Sequence, residues 1–357
     1  MGGVFPRSAV QPMLRSCKSR LSNRKMTQSP KGALLAPAPP PAKNPRPLVV
    51  LDLGNYQCTA FDGTKPVTVR SLFVELQPGQ QFLKATADSP IIELGNRRFH
   101  VGRKAPSYNG FRAVVSSDKT ELARLFLAAT VAHRAHGDNT IDLVVLHHSH
   151  ELVADALKAS LLGEWTFTRN NQPQAIHVAS VQVVDESLGA FHLLQNRTGW
   201  TLGLDIGAGT WLSRVWTQDG ETIAALTADK AGTYRLAVAI ASDERLKTPL
   251  RARGITRPDT AVILDGLADG SHQYEFSGIS WRDWWREYRR EWFLGMLNEA
   301  KSQFQPHMGC ITQILVTGGG AHLVMDLIEG KPGFQIPQPP HLASVVGTWK
   351  AIAGRQA

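Results

Sequence analysis

Cysteine is scarce in this 357-residue chain, and Cys17, Cys58 and Cys310 are odd in number, far apart and without a CxxC spacing. That pattern gives no disulfide framework and no zinc site, and it fits a reducing cytosol. Long apolar runs are missing too. No window reaches the roughly 18 uninterrupted apolar residues of a membrane span, and the richest helical stretch, Leu122 to Ala132, is broken by Arg124. A soluble, cytoplasmic protein is expected. Acidic residues are absent before Asp52, whereas Arg7, Arg15, Lys18, Arg20, Arg24, Lys25, Lys31, Lys43 and Arg46 all precede it. Of 39 basic residues these nine lie in the tail, which leaves 30 against 30 acidic residues, so the whole net charge of +9 is local.

The tail, residues 1–47, ends in the proline-rich run Pro37 to Pro47, a composition that cannot bury a core and favours extended or disordered chain. It lacks the apolar run of a secretory signal. Its charges suit contact with DNA or an anionic surface, and a solvated extension or a translational start at Met26 are the plainer accounts. The remaining length accommodates two domains of ordinary size.

What is present centres on Leu202 to Trp211, LGLDIGAGTW, where an apolar run delivers Asp205 into a glycine-rich turn. A strand buried on both faces would hold that carboxylate near its end, where it suits a cation. Gly207 and Gly209 remove the Cβ atoms that would keep backbone from wrapping an oxyanion, and Thr210 adds a hydroxyl. A strand with a tight turn and no ligand accounts for the same residues.

The architecture recurs 153 residues earlier as LVVLDLGNYQCTAFDG, with Asp52, Gly54 and Asn55 in the corresponding places. Each copy runs on to a second strand and an Asp-Gly turn, Asp62-Gly63 and Asp219-Gly220, of the kind that closes hairpins. Two lobes of one design are predicted, at 48–195 and 196–357, each mixed α/β. In the first, an inserted hairpin over Ile91 to Val101, a helix over Thr120 to Ala135, a strand over Ile141 to Leu146, a helix over Glu151 to Leu162 and extended chain over Ala175 to Val184 follow. The second replays this with strands Thr201 to Ile206, Leu212 to Thr217 and Thr222 to Leu226, a helix over Lys230 to Glu244, a long helix from Ser280 and a strand over Ile311 to Thr317. Arg251 to Gly278 resists ordering.

A third glycine turn, ITQILVTGGGAHL, sends a buried strand into Gly318, Gly319 and Gly320, where a helix is expected to start and offer free N–H groups to an anion. Neither common nucleotide fingerprint occurs, since the chain has no GxxxxGK[ST] and no GxGxxG opening a helix. Three such turns after three strands, with two aspartates in duplicated lobes, resemble the actin-like ATPase superfamily. LDLGNYQCTA is similar to its first phosphate motif, LDIGAGT to its second, VTGGGAHL to its adenosine motif and VVDESLGAFHLL to its first connecting motif. Within that superfamily the length, the ASVVGTWKAIA ending and the run GEWTFTRNNQPQAIHVASVQVVDES are most similar to ParM/StbA-type plasmid-segregation proteins.

The resemblance implies two actin-like, ribonuclease H-like lobes around a nucleotide cleft, with the C-terminal helix packing back toward the first. It implies that Asp52 and Asp205 hold hydrated Mg²⁺ against ATP or GTP, a cation that takes few carboxylates directly. Gly54, Asn55, Gly207, Gly209 and Thr210 would bracket the phosphates, Gly318, Gly319 and Gly320 would take the nucleoside, and Glu186 would orient the attacking water. It further implies filament formation by self-association and a DNA-bound adaptor as partner. As a plainer role, Glu186 suits a helix start by its charge.

Two departures bear on turnover. A lysine usual late in the first motif is replaced by Cys58 and Thr59, and Trp211 and Leu212 stand where relatives carry small polar groups. A nucleotide-gated binding protein with weak hydrolysis is therefore the second reading, and a small-molecule phosphotransferase of the same superfamily the third. His147, His148 and His150 invite a metal reading, against which adjacent histidines on extended chain point opposite ways. Trp281, Trp284, Trp285, Tyr288 and Trp292 form a helical stripe that reads as core, started by a Ser280 and Asp283 cap. Arg282, Arg286, Arg289 and Arg290 fall on a neighbouring face that reads as solvated or as a contact surface.

Overall fold

The computed structural model describes residues 46–113, 119–131 and 139–356, so the basic tail up to residue 45 and the end of the helix expected to reach Ala135 lie outside the described residues. Two compact units are present. The first comprises the described residues up to 193 together with 342–356, and the second spans 194–341.

In the first unit the strands are β1 (Leu48–Leu53), β2 (Gln57–Phe61), β3 (Val67–Arg70), β4 (Leu72–Glu75), β5 (Ile91–Leu94), β6 (Arg97–Val101), β7 (Arg112–Ala113), β8 (Thr140–Leu146), β9 (Gly163–Arg169) and β10 (Gln172–Val184). Its helices are α1 (Lys119–Thr130), α2 (His150–Leu161) and α3 (Leu188–His192), with α9 (Ala343–Gln356) arriving from the end of the chain. The sheet order is β3-β2-β1-β8-β10-β9-β5-β6-β4-β7. The β1 strand pairs antiparallel with β2 and parallel with β8, and β8 pairs parallel with β10.

Period-two alternation assigns the two faces of the central strands. Val49, Leu51 and Leu53 join Phe126, Leu143, Val145 and Leu157 beneath α1 and α2. Leu48, Val50, Val144, Leu146 and Val184 meet Val345 and Trp349 of α9 on the other face. Asp52 follows Leu48 and Val50 in parity and so belongs to the α9 face. Helices α3 and α9 cross in close contact because glycines face each other: a Cβ on Gly347 would lie 1.8 Å from Gly189 O, and one on Gly189 would lie 2.0 Å from Ser344 O.

The second unit contains β11 (Trp200–Ile206), β12 (Thr210–Trp216), β13 (Thr222–Asp229), β14 (Ile311–Thr317) and β15 (Phe334–Gln335), in the order β13-β12-β11-β14-β15. Antiparallel β11–β12 and β12–β13 pairs and parallel β11–β14 and β14–β15 pairs reproduce the connectivity of β1, β2, β3, β8 and β10. The duplicated design predicted from the two aspartate motifs is present, and both Asp-Gly hairpin turns carry their glycine at positive φ. Helices α4 (Thr233–Ser242), α5 (Glu244–Arg251), α6 (Thr260–Ala268), α7 (Trp285–Gln303) and α8 (Met325–Ile328) complete the unit.

Three expectations are corrected here. The long helix begins at Trp285, not near Ser280, because Ser280 turns the chain locally, accepting from the Arg282 amide at 3.1 Å while donating to His272 O. Trp281 is fully buried but precedes that helix. Arg289 does not lie on a solvated face: it is buried, pairs bidentately with Asp326 at 2.7 and 3.0 Å and donates to Leu323 O. The unordered stretch supplies α6, begun by an Asp259 cap that accepts from the Ala261 amide. Among the described residues no helix is long and apolar enough to cross a membrane.

Candidate functional site

In the first unit three parallel strands end side by side, and registers Asp52↔Leu146 and Leu146↔Val184 align their termini. Chemistry-bearing residues follow directly: Asp52 at the end of β1, His147 and His148 after β8, and Asp185 and Glu186 after β10. Carboxyl ends of parallel strands are where open α/β sheets bind ligands, since connecting loops diverge there and leave polar backbone uncovered. The β1–β2 turn is tight. A Cβ on Gly54 would meet Gln57 O at 2.4 Å, and Ser71 Oγ donates to Gly54 O at 2.5 Å. Asn55 Oδ1 is buried without a hydrogen-bond partner among the described residues.

Asp52 is strongly perturbed, pushed up to about 7 by desolvation and by the Glu186 charge, against the pull of Lys119. Two carboxylates sharing a poorly hydrated corner repel, and a cation relieves both penalties at once. The donor chemistry therefore fits Mg²⁺, which takes one or two carboxylates and keeps several waters. The sign of the linkage follows from the raised value: the neutral Asp52 carboxyl supports folding fully only below about 4, and that support is lost progressively as pH rises from there to about 7. Asp52→Asn is expected to raise the Tm of the protein in chelator at pH 8 by about 3 °C or more, to lose that advantage progressively as pH falls toward about 4, and to abolish stabilisation by Mg²⁺. Differential scanning fluorimetry checks all three.

Lys119 is a residue that sequence reasoning missed. It opens α1, is buried, and lines a small cavity with Gly54, Cys58 and Ser71 beneath the β1–β2 turn. Its charge acts on Asp52 and Cys58, so a cation stands near the Asp52–Asn55 turn even though Thr59 and Cys58 supply none. Thr59 is cross-strand from Asp52 and bonds Thr68 Oγ1 at 3.1 Å. In sequence Lys119 is one polar residue among several, and only the return of α1 over β1 and β2 brings it here.

The histidines also behave differently from the sequence expectation. Strand β8 stops at Leu146, so alternation no longer applies, and the His147 and His148 rings stack at 4.6 Å with planes 19° apart. His147 is held down to about 3, chiefly by burial and then by the Lys119 charge. Its Nδ1 accepts from the Ser149 amide at 3.0 Å, which places any proton of the neutral ring on Nε2. Among the described residues no group of three or more His, Cys, Asp or Glu could hold a metal ion.

In the second unit Asp205 ends β11 beside Gly318, whose φ is +88° and whose Cβ would lie 2.3 Å from Asp205 Oδ1. The Gly207–Thr210 turn is closed by Gly207 N–H donating to Thr210 O and held from the start of α4, where Thr233 N–H donates to Gly207 O and Tyr234 N–H to Ala208 O. Gly232 must lack a Cβ because one would sit 2.2 Å from Gly207 O. Trp292 of the aromatic stripe reaches this support, its Nε1 donating to Ala231 O and Gly232 O at 3.3 and 3.2 Å.

The triple glycine is only partly open. Gly318 N–H donates to Pro340 O and Gly320 N–H to Ile206 O, so these two amides are already used. A Cβ on Gly320 would meet Ile206 and Thr233 side chains at 2.6 Å, whereas one on Gly319 would meet nothing within 4 Å. Gly319 is thus the position where a flat group could approach. The expected helix start is instead a 3-10 turn over Ala321–Leu323 followed by the four-residue α8. His322 braces the turn by bonding Gly319 O at 2.6 Å and Leu267 O at 3.1 Å.

Trp211 is relocated by register. The second strand starts at Thr210, two residues earlier than expected, and pairs Ile206↔Trp211 and Asp205↔Leu212. Trp211 therefore faces the core with Leu204 and Ile206 and is fully buried there, on the side of the sheet opposite Asp205. Leu212, not Trp211, is the apolar neighbour of the Asp205 carboxylate.

No family model matches the sequence, and no curated protein sequence matches it. Solved structures do. The archaeal actin homologue Ta0583 superposes with a TM-score of 0.68 at 14% identity, covering 86% of this chain and 99% of that one. The chain has the actin fold. A 15-stranded ParM filament from Clostridium botulinum matches with a TM-score of 0.68 at 16% identity, over 87% and 99% of the two chains. The apo psk41 ParM protein matches at 0.61 and 16%, over 86% and 97%. In actin-fold terms β1–β3 with β8 and β10, and β11–β15, are the two repeats, each with an aspartate and a glycine turn at the end of its first strand.

Proposed function

We propose that the chain is a ParM-like actin-type ATPase that binds Mg-ATP and assembles into filaments, in a DNA or plasmid segregation role. The observation that carries the reading is the duplicated strand-aspartate-glycine turn, Asp52 with Gly54 and Asn55 in one unit and Asp205 with Gly207, Gly209 and Thr210 in the other. Support comes from the neighbours: Ta0583 was crystallised with ADP and ParM was solved as a filament.

Asp52 and Asp205 would hold the hydrated Mg²⁺, which supplies charge neutralisation at the β- and γ-phosphates. The glycine turns lie against the phosphates, Lys119 adds positive charge near the first of them, and Gly319 leaves space for the nucleoside. Glu186 orients a water whose oxygen bonds to the γ-phosphorus as the bond to the β–γ bridging oxygen breaks. The bridging electron pair leaves with ADP, and the proton lost by the water ends on the released phosphate. Binding of ATP favours assembly and hydrolysis loosens the polymer, with a DNA-bound adaptor as partner.

Light scattering with and without Mg-ATP tests the reading. Nucleotide-dependent scattering is expected, and a species that stays monomeric at high concentration under both conditions contradicts it. Nucleotide binding with phosphate release only at background would favour the nucleotide-gated binding protein instead. That alternative has lost one of its two grounds, since Trp211 lies in the core and Leu212 alone remains beside Asp205.

A further inference from the structure

The loop after β8 and the loop after β10 face each other through two imidazole–carboxylate pairs. His148 Nδ1 lies 3.9 Å from Glu186 Oε2, and His150 Nδ1 lies 4.0 Å from Asp185 Oδ2. The partners in each pair differ in freedom. Asp185 is tied to its own turn, accepting from the Ser187 amide at 2.9 Å and from the Ser187 hydroxyl. The His148 and Glu186 side chains are both largely buried. His148 is further fixed from behind by the stacked His147 ring, which is neutral and anchored through the Ser149 amide.

We propose that His148 is a positioning residue for Glu186: its Nδ1–H donates to one carboxylate oxygen and leaves the other directed at the attacking water. The proposal rests on the ATPase reading given above. A carboxylate with two equivalent oxygens and free rotation aligns a water poorly, and a donor on one oxygen removes that freedom, as imidazole orientation does in catalytic triads. The 3.9 Å separation closes to hydrogen-bond length with a small side-chain rotation, and such contacts commonly tighten once substrate is bound. His147 serves as a rigid, uncharged platform, because burial and Lys119 oppose its protonation. The charged and titratable groups around the pair are Asp52 beside Glu186, Lys119 beside His147, and His150 with Asp185 on the flank.

The experiment uses the full chain with His148→Ala, His148→Asn and Glu186→Gln. Asn places an amide donor near the Nδ1 position and serves as the conservative variant. Phosphate release from Mg-ATP is expected to fall about 10- to 100-fold in kcat for His148→Ala, with KM within about twofold, and His148→Asn is expected to recover most of the loss. Wild-type kcat in His148→Ala, equal impairment of both variants, or a change confined to KM overturns the proposal.

A second measurement is independent of turnover: NMR titration of the His148 ring in wild type and in Glu186→Gln. Removing the facing carboxylate is expected to lower the His148 midpoint by about half a pH unit or more, and an unchanged midpoint refutes the pair. Should wild type bind Mg-ATP without releasing phosphate, the hydrolytic reading and the positioning role fall together. A lost midpoint shift with normal turnover overturns only the His148 assignment.

Discussion

Glu186→Gln is expected to cut phosphate release from Mg-ATP about 100-fold or more, while nucleotide affinity stays within a few-fold of wild type. Gln keeps the volume and one acceptor oxygen but cannot carry negative charge, so it aligns and polarises water poorly. Glu186 interacts electrostatically with Asp52 and His148. The substitution also removes the charge that raises Asp52, so the Asp52 carboxylate is ionised over a wider pH range. Assembly with Mg-ATP should therefore survive, and polymers should persist longer because the step that loosens them is slow. A malachite-green phosphate assay with parallel light scattering checks both halves. Wild-type turnover in this variant would remove Glu186 from the reaction.

Gly347→Ala is expected to destabilise the first unit by about 2 kcal/mol or more. Helix propensity alone argues the opposite, since Ala exceeds Gly by ~1 kcal/mol inside a helix. Packing decides the sign: the new methyl would lie 1.8 Å from Gly189 O and 2.5 Å from its carbonyl carbon, and backbone cannot rotate aside. Overpacking of this kind costs ~3 kcal/mol at the upper end of its usual range, which outweighs the helix gain. Tm should drop by roughly 4 to 8 °C, and phosphate release should fall too, because α3 starts two residues after Glu186. Gly354, in the same helix, supplies the control. A Cβ there meets nothing within 4 Å, so Gly354→Ala should be neutral or slightly stabilising. Thermal melts of the two variants side by side separate packing from propensity, and equal shifts would discard the crossing as a tight contact.

Elements with strong local signals were legible before any coordinates. The β14 strand, Ile311–Thr317, has the bounds expected from its apolar run, and both Asp-Gly hairpins form where the dipeptides stand. Strand β9 was missed although Asn170-Asn171, both at positive φ, closes its hairpin with β10. Exposed and buried residues alternate in β9 around Trp165 and Phe167, but the run is short and polar enough to pass for a loop. Arg251 to Gly278 stayed unreadable because its order comes from tertiary bonds, such as Tyr274 Oη accepting from the Asp259 amide at 2.7 Å.

At the candidate site, motif residues were visible and their surroundings were not. Asp52, Asp205 and the glycine turns declare themselves by apolar runs ending in carboxylate and glycine. Lys119 carries no such mark, and His148 stands out only as one of a histidine run that invites a metal reading; each reaches the site through sheet pairing and helix return. Trp211 shows the limit most plainly: which face a residue takes depends on where the hairpin turn ends, and an end two residues earlier than expected brings Trp211 into the strand with its indole in the core.

The central claim is that nucleotide held by the duplicated aspartate turns drives assembly. Negative-stain imaging of the purified protein with a Mg²⁺-loaded non-hydrolysable ATP analogue, beside Asp52→Asn and Asp205→Asn, tests it most directly. The account predicts filaments for the wild-type chain with the analogue, none without it, and none for either variant at the same concentration. Filaments that form equally without nucleotide, or in both variants, would contradict it.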